Sequence, residues 1–170
     1  MKKITLIALL FALNWQINAQ TSEISLQNRN ELKLDVAFLI GGILKAEYEY
    51  LLSDWSSIGV SAFFNLNSGP RELGTQVLGN YRLYFGKEPV SGFFIEGNLG
   101  IISGYLDPYY SSSNDHYSSF GIGIALGWKW YIPKSGIVLD IFGGGGRLFG
   151  DVASSVGPYP RAGICVGKRF

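Results

Sequence analysis

His116, Tyr117 and Ser118 are the first residues whose types and spacing suggest chemistry. A serine hydroxyl becomes a nucleophile when an imidazole takes its proton, and the imidazole then needs an acid to orient it. No glutamate follows Ser118; the next acid is Asp140, while Asp107 and Asp115 precede the pair in a stretch rich in tyrosine and serine. A bare His-x-Ser is a weak motif and is equally what a surface loop with one histidine contains. His116 and Cys165 are the single histidine and cysteine, which excludes a disulfide framework and any multi-His or multi-Cys metal site. Gly143 to Gly146 lacks the Lys-Ser/Thr and helix of a phosphate loop, so it reads as curvature or close packing. No cofactor is expected. The remaining chemistry is charge: cations at Lys33, Lys45, Arg82, Lys129, Arg161 and Arg169, and carboxylates at Glu31, Asp35, Glu47, Glu49, Glu96 and Asp140. These fall on one face of alternating segments and balance six to six.

Composition indicates what holds such charges. Of 170 residues, 15% are aromatic and only 16% charged, and 23 are glycine. An average soluble domain is about 25% charged and about 7% glycine. A net charge of +1 leaves no broad basic surface for nucleic acid. The values favour an aromatic, glycine-rich β protein.

Lys2 and Lys3 precede Ile4–Leu13, which is apolar except for Thr5, and Asn14-Trp15-Gln16-Ile17-Asn18-Ala19 follows. This is the n, h and cleavage pattern of a secretory signal peptide, and the run falls short of the ~20 residues of a spanning helix. Cleavage is expected after Ala19. Gln20 is not the cysteine of a lipid-anchored protein. Residues 20–29 read as a short polar periplasmic tail, and 30–170 as one domain.

Within that domain the period is two, the signature of strands. Strands are expected over 30–39, 44–52, 57–66, 75–85, 92–103, 119–131, 137–148 and 159–170, each near the 9–11 residues that cross a bilayer at a tilt. Connections 53–56, 86–91 and 133–136 are short. Those at 67–74, 104–118 and 150–158 are longer, and the first, at Gly41-Gly42, is the exception. Short turns at one end and long loops at the other suit a transmembrane barrel. The sixth strand separates its faces most clearly: Ile122, Ile124, Leu126, Trp128 and Trp130 oppose Gly121, Gly123, Ala125, Gly127 and Lys129.

A soluble lipocalin-like barrel would alternate too, with its apolar face inward. Three features favour apolar-out. The polar face is mostly small residues, its charges balance as a low-dielectric interior requires, and aromatics gather near the strand ends as girdles do. Tyr50, Trp55, Phe85, Phe93, Trp128, Trp130 and Phe170 mark the short-turn belt. Phe38, Tyr105, Phe149 and Tyr159 mark the other. Phe63, Tyr84, Phe94 and Phe142 point inward. The 133–136 turn sets Lys129 opposite Asp140, and the 86–91 turn sets Arg82 near Glu96, so both are expected as lumen ion pairs. Lys168 has outward parity where it can snorkel. Arg147 has outward parity too, resolved either by a bulge in 143–146 or by a position above the membrane.

These residues resemble small eight-stranded outer-membrane barrels of the OmpX and OmpA-barrel type, and more closely the Bacteroidetes outer-membrane β-barrels of unknown function. The resemblance rests on Glu49-Tyr50-Leu51-Leu52-Ser53-Asp54-Trp55-Ser56-Ser57-Ile58-Gly59-Val60, Tyr81-Arg82-Leu83-Tyr84-Phe85 and Gly167-Lys168-Arg169-Phe170. It implies an all-β, eight-stranded antiparallel up-and-down transmembrane barrel in the outer membrane of a Gram-negative bacterium. Ile164, Val166 and Phe170 resemble the terminal signal read by the outer-membrane insertion machinery; Lys168 departs from it. The implied partners are that machinery, outer-membrane lipids and lipopolysaccharide. The expected role is non-catalytic, structural or surface-interacting, with a lumen closed by Lys33, Lys45, Glu47, Glu49, Arg82, Glu96, Lys129, Asp140, Arg161 and Arg169. The alternatives are a lipid-modifying hydrolase using His116 and Ser118, since outer-membrane lipid A deacylases carry a similar His-x-Ser, and a soluble lipocalin-like binder.

Overall fold

The computed structural model describes residues 28–65, 75–105, 116–150 and 158–170. The expected leader, residues 1–19, most of the 20–29 tail and the longer connections lie outside them. The elements are β1 (Asn30–Asp35), α1 (Val36–Ile40), β2 (Ile43–Ser53), β3 (Ser56–Asn65), β4 (Gln76–Tyr84), β5 (Gly92–Tyr105), β6 (His116–Ile132), β7 (Ile137–Phe149) and β8 (Pro158–Arg169). Each strand pairs antiparallel with the next, and β1 closes on β8. The chain is therefore an all-β, closed, eight-stranded up-and-down barrel. Eight strands enclose a bore that side chains can fill.

Alternation sorts the side chains. Along β6, Gly121, Gly123, Ala125 and Lys129 face in and are buried, while Ile122, Ile124, Leu126, Trp128 and Trp130 face out and are exposed. The same holds around the wall: Leu32 and Leu34, Ile58 and Val60, Leu99 and Ile101, Leu139 and Ile141, Ile164 and Val166 are all exposed. Tyr50, Trp55, Phe85, Phe93, Trp128, Trp130 and Phe170 ring the short-turn end and are exposed. This wall is apolar on its outer surface.

Three expectations need correction. Pairing of β7 runs without a register shift through Gly143–Gly146 on both sides, so no bulge resets the phase, and Arg147 is exposed on the outer face. Tyr159 does not join an outer belt. It is buried, and its hydroxyl donates to Asn98 Oδ1 at 2.5 Å. The glycines opposite make room for it: a Cβ at Gly146 would sit 2.4 Å from the Tyr159 ring, and one at Gly123 would sit 2.6 Å from its hydroxyl. The third correction is the first strand, which ends at Asp35 rather than running to residue 39.

The cause lies in Asp35 itself. Its carboxylate accepts from the N–H groups of Ala37 (3.2 Å) and Phe38 (3.3 Å), capping the single turn α1. Capping of this kind diverts the chain from extended pairing. Phe38 thus leaves the expected belt and meets Phe63 edge-on, with ring centroids 6.2 Å apart. The β1 ladder reaches Cys165 on β8 and Ala46 on β2 and stops. Above it, β8 from 158 to 164 pairs only with β7, and β2 from 43 to 45 only with β3. α1 packs against β8 and β2 across this interruption.

Side chains replace the missing strand. The Ile164 N–H donates to Asp35 Oδ1 at 3.3 Å, and Lys45 Nζ donates to the Ala162 carbonyl at 2.7 Å. Backbone groups in a strand turn to alternate neighbours, and Phe170 exchanges bonds with Asn30 of β1. Even-numbered β8 residues therefore face the interruption. Two of them, Pro158 and Pro160, have no N–H to leave unpaired, which suits an uncovered edge. Asp35→Ala removes the cap and leaves Lys45 buried without its carboxylate at 3.0 Å. We expect a loss of about 3–5 kcal/mol, with amide exchange at Ala37, Phe38 and Ile164 accelerating first.

Candidate functional site

The bore carries the chemistry. All twelve charged residues assigned to the inner face from sequence are buried. Arg82 stands directly across from Glu96 and pairs with it at 2.8 Å. Lys129 also stands directly across from Asp140, but the expected ion pair between them is corrected. Lys129 Nζ reaches Glu31 and Glu49, both at 2.8 Å. Asp140 is taken by Lys33 at 2.7 Å and Arg82 at 2.9 Å.

The result is one connected network. Arg169 holds Glu31 at 2.7 Å, Glu31 holds Lys129, and Lys129 leads to Glu49. Glu49 Oε2 accepts from Lys33 and from Arg82 at 2.9 Å, and Oε1 accepts from Ser57 and Tyr84, each at 2.5 Å. Arg82 continues to Glu47 at 2.8 Å, and Glu96 passes the chain to Arg161 at 2.9 Å. Five cations and five carboxylates balance within it. Lys45 and Asp35 form a separate pair beside α1. Aromatic faces back the cations: the Arg82 guanidinium lies 4.6 Å from the Phe94 ring centre, Arg161 lies 4.8 Å from Phe142, and Arg169 lies 3.9 Å from Tyr131. Such contacts strengthen when desolvated.

Glu47, Glu49 and Asp140 are grouped closely enough for a metal ion. The chain's own cations fill that role. Lys33 Nζ contacts all three carboxylates, at 2.9 Å to Glu47 and 2.7 Å to Asp140, and Arg82 contacts all three within 2.9 Å.

Apolar side chains interleave with the network and help to fill the bore. Leu51, Tyr84, Val90, Phe94, Ala125, Phe142 and Cys165 form one buried cluster. Val90 was not expected there, because the 86–91 segment reads as a surface turn. Its N–H donates to Asp54 O at 2.7 Å, and its carbonyl accepts from Arg169 Nη2 at 3.1 Å. Val90 is the one non-glycine residue with positive φ (46°) among the described residues. A β-branched side chain in that region is strained and persists only when its surroundings enforce it. The sequence signal was a valine after proline in an otherwise polar turn.

Of the residues of the hydrolase alternative, the backbone of His116 and all of Ser118 and Asp140 are described. His116 and Ser118 pair with Tyr105 and Ser103 at the far end of β6, and Ser118 is exposed on the outer face. The His116 side chain, Asp107 and Asp115 lie outside the described residues. Asp140 is buried inside the wall opposite Lys129, eleven residues down β6 from Ser118. That is about 36 Å at ~3.3 Å per residue.

Ile164 and Val166 face outward on β8, and Phe170 is exposed while its backbone pairs with Asn30 at 2.8 and 3.1 Å. In comparisons with known proteins, no family model, curated protein or solved structure matches the chain.

Proposed function

We propose that the protein is a non-catalytic barrel of the outer membrane of a Gram-negative bacterium, with a structural or surface-interaction role and a lumen closed to ions. One observation carries this reading. The wall presents apolar side chains outward around its circumference, while every charge of the strand midsections is buried within and neutralised by another. In water such a surface would associate, because a soluble monomer rarely exposes contiguous apolar patches beyond a few hundred Å². Against hydrocarbon it is the low-energy arrangement. Exposed aromatics at the short-turn end suit the headgroup region, and Lys168 there can extend its ammonium to water. The apolar terminal pattern of Ile164, Val166 and Phe170 supports delivery by the outer-membrane insertion machinery. A surface role would use the connections that follow β5 and β7, in contact with lipopolysaccharide or an outside partner.

The test is fractionation of cells making the full chain, followed by electrophoresis of unheated and boiled samples. Outer-membrane recovery with two mobilities supports the reading; recovery as a soluble protein overturns it. Closure of the lumen is tested separately in planar bilayers. We expect no steady ion conductance from the wild type, because the network and the Val90 cluster fill the bore.

A further inference from the structure

Above the network the bore widens into a cavity of about 290 Å³ beside α1. Phe38, Phe63 and Tyr159 give it aromatic walls, and Lys45, Gln76 and Arg161 supply its polar groups. Among the described residues its lining holds two cations and no carboxylate. Lys45 donates two of its three ammonium protons, to Asp35 and to the Ala162 carbonyl. The volume admits about ten non-hydrogen atoms at the ~30 Å³ each occupies in a liquid. Mostly apolar walls with a few converging polar groups, in the mouth of a barrel, are the usual setting of a ligand site.

The interruption in the wall gives this cavity a second side. Its lining includes Phe38 of α1 and the β8 residues Pro158, Pro160 and Ala162, which border the stretch where β1 is missing. The prolines carry no N–H to hold another strand there. Leu39 and Ile40 of α1 are exposed on the outside, Ile40 to 90%. One short helical turn thus stands between the cavity and the surroundings of the barrel.

We propose that the cavity binds the carboxylate end of a single-chain amphiphile, head toward Lys45 and tail leaving between α1 and Pro158/Pro160. This rests on the membrane reading above, which makes the surroundings of α1 hydrocarbon. Both cations are paired within the wall, Lys45 with Asp35 at 3.0 Å and Arg161 with Glu96 at 2.9 Å, so the third ammonium proton of Lys45 is the donor offered to the head. A tail that leaves past α1 meets no upper limit on its length.

The test uses the full barrel in phosphatidylcholine nanodiscs, with decanoate and hexadecanoate labelled with 13C at the carboxyl carbon. The expected result is a second carboxyl resonance, distinct from the bilayer pool, saturating at one per barrel for both chains. Decanol should compete at least tenfold more weakly than decanoate. Lys45→Met should weaken binding at least tenfold. Because that variant strands Asp35, Ile102→Trp is the second: it narrows the cavity from the opposite wall and should also lose the resonance while keeping heat-modifiable mobility. No second resonance for either chain overturns the site. A resonance for decanoate but not hexadecanoate overturns the side opening, and one that survives both variants places binding elsewhere and overturns the proposal. A barrel that enters nanodiscs without binding sinks only this proposal. A chain that stays soluble sinks the membrane reading, and decanoate binding is then measured in buffer.

Discussion

Glu49→Leu should leave almost no folded barrel. Glu49 takes Lys33 and Arg82 on one oxygen, and Lys129, Ser57 and Tyr84 on the other. Leucine fills the volume but leaves one uncompensated positive charge buried among Lys33, Arg82 and Lys129, which keep only their other carboxylates. Removing one partner of a buried pair costs about 3–5 kcal/mol. The whole stability of an ordinary domain is about 5–15 kcal/mol, so a hub shared by three cations consumes most of it. Glu49→Gln should fare little better, because one carboxamide N–H₂ would then face Lys33 and Arg82 or Lys129. Ser57→Ala removes a single donor to the same carboxylate and should cost only about 1.5–3 kcal/mol. The measurement is the urea midpoint of the folded band on unheated gels after refolding into lipid vesicles. A midpoint for Glu49→Leu within that of Ser57→Ala would show that the network contributes little.

Ile124→Arg should cost about 2–4 kcal/mol in vesicles, the penalty for arginine on a lipid-facing strand at the bilayer midplane. Ile124 is 68% exposed, sits at the middle of β6 and projects away from the bore. On a water-facing wall the same change would stay within about 0.5 kcal/mol. Lys168→Leu, near the end of β8, is the control and should be nearly neutral. The same urea series serves for all three. An Ile124→Arg barrel as stable as the wild type would mean that the wall faces water, against the membrane reading.

The faces of the barrel were legible because a two-residue period leaves no freedom within a strand. Once Leu126 faces out, Lys129 must face in, and this logic assigned the buried charges correctly. Register was legible only next to tight turns, where Arg82–Glu96 and Lys129–Asp140 follow from the turn centres. Which ions meet was legible for Arg82 and Glu96 but not for partners that lie across the bore on strands far apart in the chain; Lys33 and Asp140 are one example. Tyr159 illustrates a different failure. It shares inward parity with Arg161, but an aromatic near a strand end is also what a girdle contains, and only the glycines opposite reveal the room for it. The end of β1 was hidden for a third reason. Asp35 looks like one more inward charge until Ala37, Phe38, Ile164 and Lys45 surround it. Val90 escaped because its only local signal, a valine after proline in a polar turn, does not tell a surface turn from one that folds back into the bore.

The ion network also bears on how a chain of this kind could be checked during synthesis. The strands up to β5 bring Glu31, Asp35, Glu47, Glu49 and Glu96 against Lys33, Lys45 and Arg82, an acidic surplus. The later strands bring Lys129, Arg161 and Arg169 against Asp140 alone, a basic surplus. Neither portion can enclose its own charges. Neutrality arrives only when the last strand lays Arg169 beside Glu31 of the first. A chain that stops before β8 would keep mismatched ions and an open edge. The charges of the bore thus match only when all eight strands are present.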